Sequence, residues 1–155
     1  LPWHPKRLNT PQSKQWKEMA LHVQSNGISG QTIFVQSGLG EAALLRDFFS
    51  DAVLQDYVAC RMGRIYIKGD HHRIGLPFVW NLSPEMNRWY REQLRKIATS
   101  QTGSFWLAAA TDTDLNETSS RYFEQMAAME GFVVSESLVL PTAKLTLFQV
   151  RNPRP

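Results

Sequence analysis

Apolar residues in the first part of the chain follow first a helical and then a strand pattern. Trp16, Met19 and Val23 are three and four residues apart, so they share one face of a predicted helix. The β-branched run 32–36 then predicts a buried strand, and the sequence 37–41 (SGLGE) predicts a glycine-rich turn before a short helix. This order of helix, strand, turn and helix is typical of an α/β layer.

The middle of the chain has a weaker pattern. Residues 51–69 predict a short helix followed by a strand at 64–68, and residues 69–75 (GDHHRIG) predict a polar loop. Residues 76–82 predict an extended segment, in which Pro77 favours the edge of a sheet because proline has no N–H to donate.

The second half alternates strongly between helix and strand. Ser83, Pro84 and Glu85 form a helix start, and the helix is predicted to run to about residue 99. A buried strand follows at 104–110. The next helix is predicted to end before Gly131, with its inward face formed by a set of apolar residues: Tyr122, Phe123, Met126 and Met129.

The chain closes with a predicted β-hairpin, whose strands are 132–140 and 144–150. The complete pattern predicts an α/β fold, a three-layer α/β/α sandwich with a mixed central sheet and a C-terminal antiparallel hairpin. We expect one domain at 13–150, preceded by a proline-rich linker at 1–12 and followed by a tail at 151–155. The chain begins with Leu1 and has no signal segment, which favours a piece of a longer protein.

Composition narrows the functional classes. The 155 residues are 43% hydrophobic and 20% charged, which is globular composition. The single cysteine, Cys60, excludes an internal disulfide. The formal charge of +3 combines basic ends with a mildly acidic body, because all fourteen acidic residues lie between Glu18 and Glu136. This distribution argues against nucleic acid as a partner and is compatible with ends that lie near anionic lipid or are simply solvated.

Two segments are candidate ligand sites. Ser37, Gly38 and Glu41 follow a predicted strand and precede a predicted helix, where free N–H groups hold phosphate in many α/β proteins. The spacing matches no dinucleotide or Walker fingerprint, so a tight turn without ligand is the alternative. The second segment is Asp70-His71-His72-Arg73. It suits an exposed polar loop, a contact with an anionic headgroup or phosphate, or less well a metal site.

A third group of polar residues follows the strand 104–110. Asp112, Asp114 and Glu117 suit a cation or acid–base site, but they equally suit a turn and a helix cap, which we favour. We predict no catalytic residue, no metal and no cofactor in this chain.

Several hydrophobic blocks together resemble a known family. They are a tryptophan-bearing helix (KQWKEMALHVQSN), a strand and turn (GQTIFVQSGLGE), an Asp-Tyr segment (LQDYVACRMGRIY), a leucine-proline stretch (GLPFVW), a strand before an acidic loop (SFWLAAATDTD) and the closing hairpin. Spread over 13–150, this pattern resembles the soluble C-terminal domain of bacterial GT-C class membrane glycosyltransferases. That group is akin to dolichyl-phosphate-mannose protein mannosyltransferases and lipid A aminoarabinose transferases.

The resemblance implies a noncatalytic accessory domain on the extracytoplasmic, periplasmic face of a bacterial cell membrane. Its partner would be the transmembrane portion of the same parent chain, which would carry the catalytic carboxylate. The domain would help to position the acceptor or a polyprenyl-phosphate-linked sugar donor, with anionic lipid headgroups as another contact. The alternatives are a stand-alone nucleotide- or phosphate-binding protein or enzyme that uses Ser37–Glu41, and a protein–protein interaction module.

Overall fold

The structure is a computed structural model that describes residues 11–39, 51, 70–77 and 84–151. These residues form three helices and five strands. In chain order they are α1 (Pro11–Asn26), β1 (Thr32–Leu39), β2 (His72–Pro77), α2 (Pro84–Ala98), β3 (Ser104–Ala110), α3 (Asp114–Met129), β4 (Phe132–Val139) and β5 (Ala143–Val150).

The five strands form one mixed sheet in the order β2-β1-β3-β5-β4. β1 pairs in parallel with both β2 and β3, so the three strands begin at the same end of the sheet. β5 pairs antiparallel with β3 and with β4, which completes the predicted C-terminal hairpin. The predicted α/β class, the mixed sheet and the hairpin are therefore confirmed.

Helix α1 covers one face of the sheet. Met19, Ala20 and Val23 are buried against β1, β3 and β5, where Trp106 is the largest apolar neighbour. Trp16 lies partly buried at the margin of the same cluster. The predicted inward face of the helix is thus confirmed, and burial of such side chains is the main source of the helix's stability.

Helices α2 and α3 cover the opposite face. The predicted residues Met86, Tyr90, Leu94 and Ile97 are buried there, and Trp89 packs partly buried against them. Aromatic rings fill the space over β3: Phe105 stacks on Phe148 with ring centroids 4.9 Å apart. β3 is buried along its whole length because helices cover both of its faces. The described elements therefore form the three layers of the predicted sandwich.

The helix boundaries follow the capping signals in the sequence. α2 begins at Pro84 with Glu85 in its first turn, as predicted. The hydroxyl of Thr113 accepts a hydrogen bond from Asn116 N at 3.2 Å, which caps α3. Gly131 has a φ of +92°, the left-handed conformation in which glycine often ends helices. α1 begins at Pro11, two residues inside the predicted linker 1–12, because proline is compatible with the first turn of a helix.

A β-bulge in β4 determines which side chains of this strand face α1. Val134 pairs with Phe148, but the next pair joins Glu136 to Leu147, so Ser135 is the extra residue. As a result Glu136 lies on the α1 side, where its Oε1 is 2.8 Å from His22 Nε2. Leu138, two residues further on, packs against the α1 cluster.

Two predicted loop segments are instead strand. The predicted turn at 37–41 is wrong at its start, since β1 continues to Leu39 after a register irregularity that begins at Gln36. The predicted loop at 69–75 is wrong from His72, where β2 begins, although Asp70 does lie in a bend. Both errors have the same physical cause: strand pairing uses backbone groups, so polar or glycine residues join a ladder when a partner strand lies beside them.

The inward face predicted for α3 is half wrong. Phe123 and Met126 are buried, but Met129 is 71% exposed and Tyr122 is 40% exposed. Successive residues of an α-helix are rotated by about 100° around the helix axis. Tyr122 and Met129 therefore both point about 100° or more away from Phe123, which lies at the centre of the buried face. The described residues do not include the predicted helix after residue 41, the predicted elements within 52–69 or Cys60.

Candidate functional site

A polar cleft opens at the end of the sheet where the parallel strands begin. Its volume is about 520 Å³, within the range of small-molecule sites. It is bounded by the first residues of β1 and β2, the last turns of α2 and the loop that leads to β3. The described residues that line it are Gly30, Thr32, His72, Ile74, Gln93, Lys96, Ile97, Ser100, Gln101 and Thr102.

The ladder between β1 and β2 positions His72 in this cleft. His72 is the register partner of Thr32, so the two residues lie side by side at the cleft wall. The backbone N–H of His72 also donates to Gln31 O at 3.2 Å. Ile74 follows on the same strand and is buried under α2. The backbone of His72 is therefore placed at the cleft by strand pairing and by an apolar anchor two residues away.

Gln31 holds the strands together below the cleft. Its buried amide donates to Ser104 Oγ at 2.6 Å and accepts from Trp106 Nε1 at 2.7 Å. The same oxygen accepts from Ile28 N at 3.0 Å, which ties the turn before β1 to the sheet. All these buried polar groups are satisfied by Gln31, so this end of the sheet is rigidly organised.

Lys96 enters the cleft from the last turn of α2. The carbonyls that end this helix are already hydrogen-bonded: Thr99 N donates to Arg95 O, and the Ser100 hydroxyl donates to Ile97 O at 2.7 Å. The Thr99 hydroxyl donates to Lys96 O at 3.2 Å. Local donors already satisfy these carbonyls, so the Lys96 side chain is not needed to cap the helix. Its ammonium group is the charged group on this wall of the described lining.

Four side chains of the lining are available to a ligand. Within the part of the chain that the structure describes, the side chains of His72, Gln93, Lys96 and Gln101 have no hydrogen bond or ion pair. They provide an ammonium group, an imidazole and two amides. His72 and Lys96 are the only ionisable residues in the described lining, and both are basic. This arrangement suits an anion that also carries hydroxyl groups.

Asp70 and His71 lie beside the cleft but are engaged elsewhere. The Ser29 hydroxyl donates to Asp70 Oδ2, and this bond, followed by one from Gly30 N–H, holds the pKa of Asp70 below its ordinary value. His71 Nδ1 is 3.1 Å from Gln31 O, and since a carbonyl only accepts, this nitrogen carries the proton. Both residues therefore fasten the start of β2 to the turn before β1.

The opposite end of the sheet holds a different polar cluster. Gln36 Nε2 donates to Asn116 O at 3.1 Å, and Gln36 Oε1 accepts from the Ser120 hydroxyl at 2.9 Å. Asn116 Nδ2 donates to Asp112 Oδ1 at 2.7 Å. These groups satisfy one another, so the cluster joins β1 to the start of α3. The role of Asp112 is thus local, and Asp114 and Glu117 lie in the first turn of α3, as expected for helix capping.

The predicted ligand residues do not form one site. Ser37 and Gly38 lie in the last part of β1, at the end of the sheet opposite the cleft, and Glu41 lies outside the described residues. Asp70, His71, His72 and Arg73 lie at the beginning of β2. Among these four, His72 lines the cleft.

The other wall of the cleft consists of residues that no sequence pattern singled out. Gln93, Lys96 and the polar run 100–102 had no place in any predicted site. A signal was present: four consecutive polar residues separate an amphipathic helix from a fully buried strand. Basic residues in the last turn of a helix are, however, common for purely electrostatic reasons, so Lys96 did not stand out.

The described residues contain no group of three or more His, Cys, Asp or Glu side chains placed to hold a metal ion. None of the helices among them has both the length and the apolar character needed to cross a bilayer.

No protein-family model matches the chain, and no curated protein is significantly similar to it in sequence.

Proposed function

We propose that this chain is a noncatalytic, extracytoplasmic accessory domain of a polytopic bacterial membrane glycosyltransferase. In this proposal its partner is the transmembrane portion of the same parent chain. The domain helps to position a polyprenyl-phosphate-linked sugar donor. The resemblance of the hydrophobic blocks over 13–150 to that class of domain supports the proposal.

The single observation that carries the proposal is the composition of the cleft. A polyprenyl-phosphate-linked sugar presents a negatively charged phosphodiester and a ring of hydroxyl groups. Lys96 supplies positive charge and His72 a ring N–H donor for the first, while Gln93 and Gln101 supply donors and acceptors for the second. The volume of about 520 Å³ accommodates a sugar with its phosphate.

Binding to vesicles tests the proposal. The protein is mixed with neutral phosphatidylcholine vesicles that contain a few mole per cent of a polyprenyl-phosphate-linked hexose, and the bound fraction is measured by sedimentation. We expect binding to these vesicles and a reduction of roughly tenfold for Lys96→Gln, since a charge-assisted hydrogen bond is lost. Arg88→Gln is the matched control, because Arg88 is an exposed residue of α2 outside the cleft lining.

A second set of vesicles separates the donor from general attraction to anionic lipid. These vesicles contain phosphatidylglycerol instead of the sugar-linked lipid, in the amount that gives both sets the same surface charge. Equal binding to both sets would reject a donor-specific role and leave only headgroup attraction. Binding of a nucleotide in preference to the sugar-linked lipid would instead favour a stand-alone nucleotide-binding protein.

A further inference from the structure

The charges around the cleft bear on which sugar the donor carries. A sugar phosphate presents its phosphate to one part of a site and its ring substituents to another. In the described lining the two ionisable side chains are both basic, and no carboxylate is present to receive a cation. A protonated amino group on the sugar would therefore enter a cleft that already holds the ammonium group of Lys96, without a described counter-charge.

Two acidic residues close in sequence to the described lining, Asp70 and Glu92, are not part of it. Asp70 accepts hydrogen bonds from Ser29 and Gly30, which use its carboxylate oxygens at the turn before β1. Glu92 is exposed on α2, one turn before Lys96. The described wall between His72 and Lys96 therefore carries no carboxylate of its own.

We infer that the cleft selects a phosphate-linked sugar whose ring carries no positive charge, and that it discriminates against amino sugars. Lys96 and His72 contact the phosphate, and the amides of Gln93 and Gln101 contact ring hydroxyls. This inference rests on the proposed function and narrows it to donors with a neutral sugar. The discrimination arises from repulsion of a second cation rather than from an additional contact to the favoured ligand.

Soluble probes test this selectivity directly. The affinities of glucose 1-phosphate and glucosamine 1-phosphate for the 155-residue protein are measured by calorimetry or by amide chemical-shift titration. We expect the amino sugar phosphate to bind about fivefold more weakly, the ratio that one partly screened like-charge contact produces. Glucose and inorganic phosphate, tested separately, should each bind more weakly than glucose 1-phosphate, because each occupies only part of the cleft.

Variants locate the source of the discrimination. Lys96→Gln should weaken the binding of glucose 1-phosphate and bring its affinity close to that of glucosamine 1-phosphate. Arg88→Gln should preserve the fivefold ratio. Asp70→Asn should also preserve the ratio, since this carboxylate lies outside the lining. Thermal unfolding of each variant verifies that it is folded.

The possible failures are distinguishable. Equal affinity of the unaltered protein for the two sugar phosphates, or tighter binding of glucosamine 1-phosphate, would overturn the inferred selectivity. Either result would leave the proposed function intact. Absence of binding by either sugar phosphate, together with vesicle binding that does not depend on the sugar-linked lipid, would reject the proposed function itself. If the fivefold ratio were lost in Asp70→Asn but kept in Lys96→Gln, the inference would be overturned, because the discrimination would then depend on Asp70 rather than on Lys96.

Discussion

At the scale of single residues, Gln31 illustrates how a buried polar side chain organises a binding surface. It lies directly before β1 among mostly exposed residues, yet it is almost completely buried. Its partners Ser104 and Trp106 are more than seventy residues away in the sequence. No local pattern predicts such a contact, because only the pairing of β1 with β3 brings these groups together.

The Ser29–Asp70 contact gives a prediction at the same scale. Ser29→Ala should raise the pKa of Asp70 toward its ordinary value, because the hydroxyl is the largest cause of the lowered pKa. Titration of the Asp70 carboxyl carbon by NMR measures the change, with Asp114 as a reference carboxylate in the same spectra. An unchanged pKa in the variant would contradict the assigned cause.

The sign of the pH dependence follows from the same shift. A lowered pKa in the folded state means that the ionised carboxylate favours folding, and this contribution is complete above the ordinary pKa of an aspartate. It is lost as the pH falls through the lowered pKa. Ser29→Ala should therefore reduce the pH dependence of the free energy of unfolding on the acidic side and leave it unchanged near neutral pH.

At the scale of elements, the β4 bulge shows how one extra residue changes the face that a strand presents. Side chains alternate along a regular strand, so Glu136 and Leu138 would lie on the same face as Val134 if Ser135 paired in the ladder. Because the bulge accommodates Ser135 as an extra residue, Leu138 instead packs toward α1 and Glu136 reaches His22. The sequence of this strand predicts a hairpin but contains no signal that places the bulge.

Deletion of Ser135 tests this interpretation. Removal of the extra residue would leave a regular ladder in which Glu136 still pairs with Leu147 and Leu138 with Leu145, so Leu138 would keep its place against α1 and we expect a loss below about 1 kcal/mol in the free energy of unfolding. Chemical denaturation measures the loss. Ser135→Ala retains the chain length and is the matched control, for which we expect a change below about 0.5 kcal/mol. A loss of about 2 kcal/mol or more in the deletion variant alone would contradict the assignment of Ser135 as the extra residue.

At the scale of the whole molecule, the two faces of the sheet are stabilised differently. α1 packs over mostly aliphatic side chains and Trp106, whereas α2 and α3 enclose an aromatic cluster. Phe105 lies at the centre of that cluster, in contact with the rings of Phe34, Phe132 and Phe148. The cluster joins the parallel half of the sheet to the antiparallel half.

Phe105→Ala should therefore destabilise the whole domain in one transition. We expect a loss of about 4 kcal/mol, which is typical of a large cavity left in an aromatic core. Val139→Ala, at a residue that is 72% exposed on β4, should change stability by less than about 0.5 kcal/mol. Denaturation followed by both fluorescence and circular dichroism measures the two variants. Separate transitions for the two probes in Phe105→Ala would contradict a single cooperative core.

Much of the fold was predictable from the sequence for identifiable reasons. The helix beginning at Pro84, the strand 104–110 and the closing hairpin all have strong local patterns, and all three are confirmed. The beginning of β2 was not predictable, since His72 and Arg73 have no apolar alternation. Their strand conformation depends on the backbone of β1, which the local sequence does not encode.

The sequence by itself determined the three described helices, the strands β1, β3, β4 and β5, the side of each helix that faces the core except at Tyr122 and Met129, and the class of the fold. It did so because apolar periodicity and capping residues act within a few positions along the chain. Only the tertiary structure decided where the candidate site lies. Strand order and direction bring His72 and Lys96 to one cleft and separate them from Ser37 and Gly38. Contacts between residues distant in the chain depend on the packing of the whole sheet, which no local pattern contains.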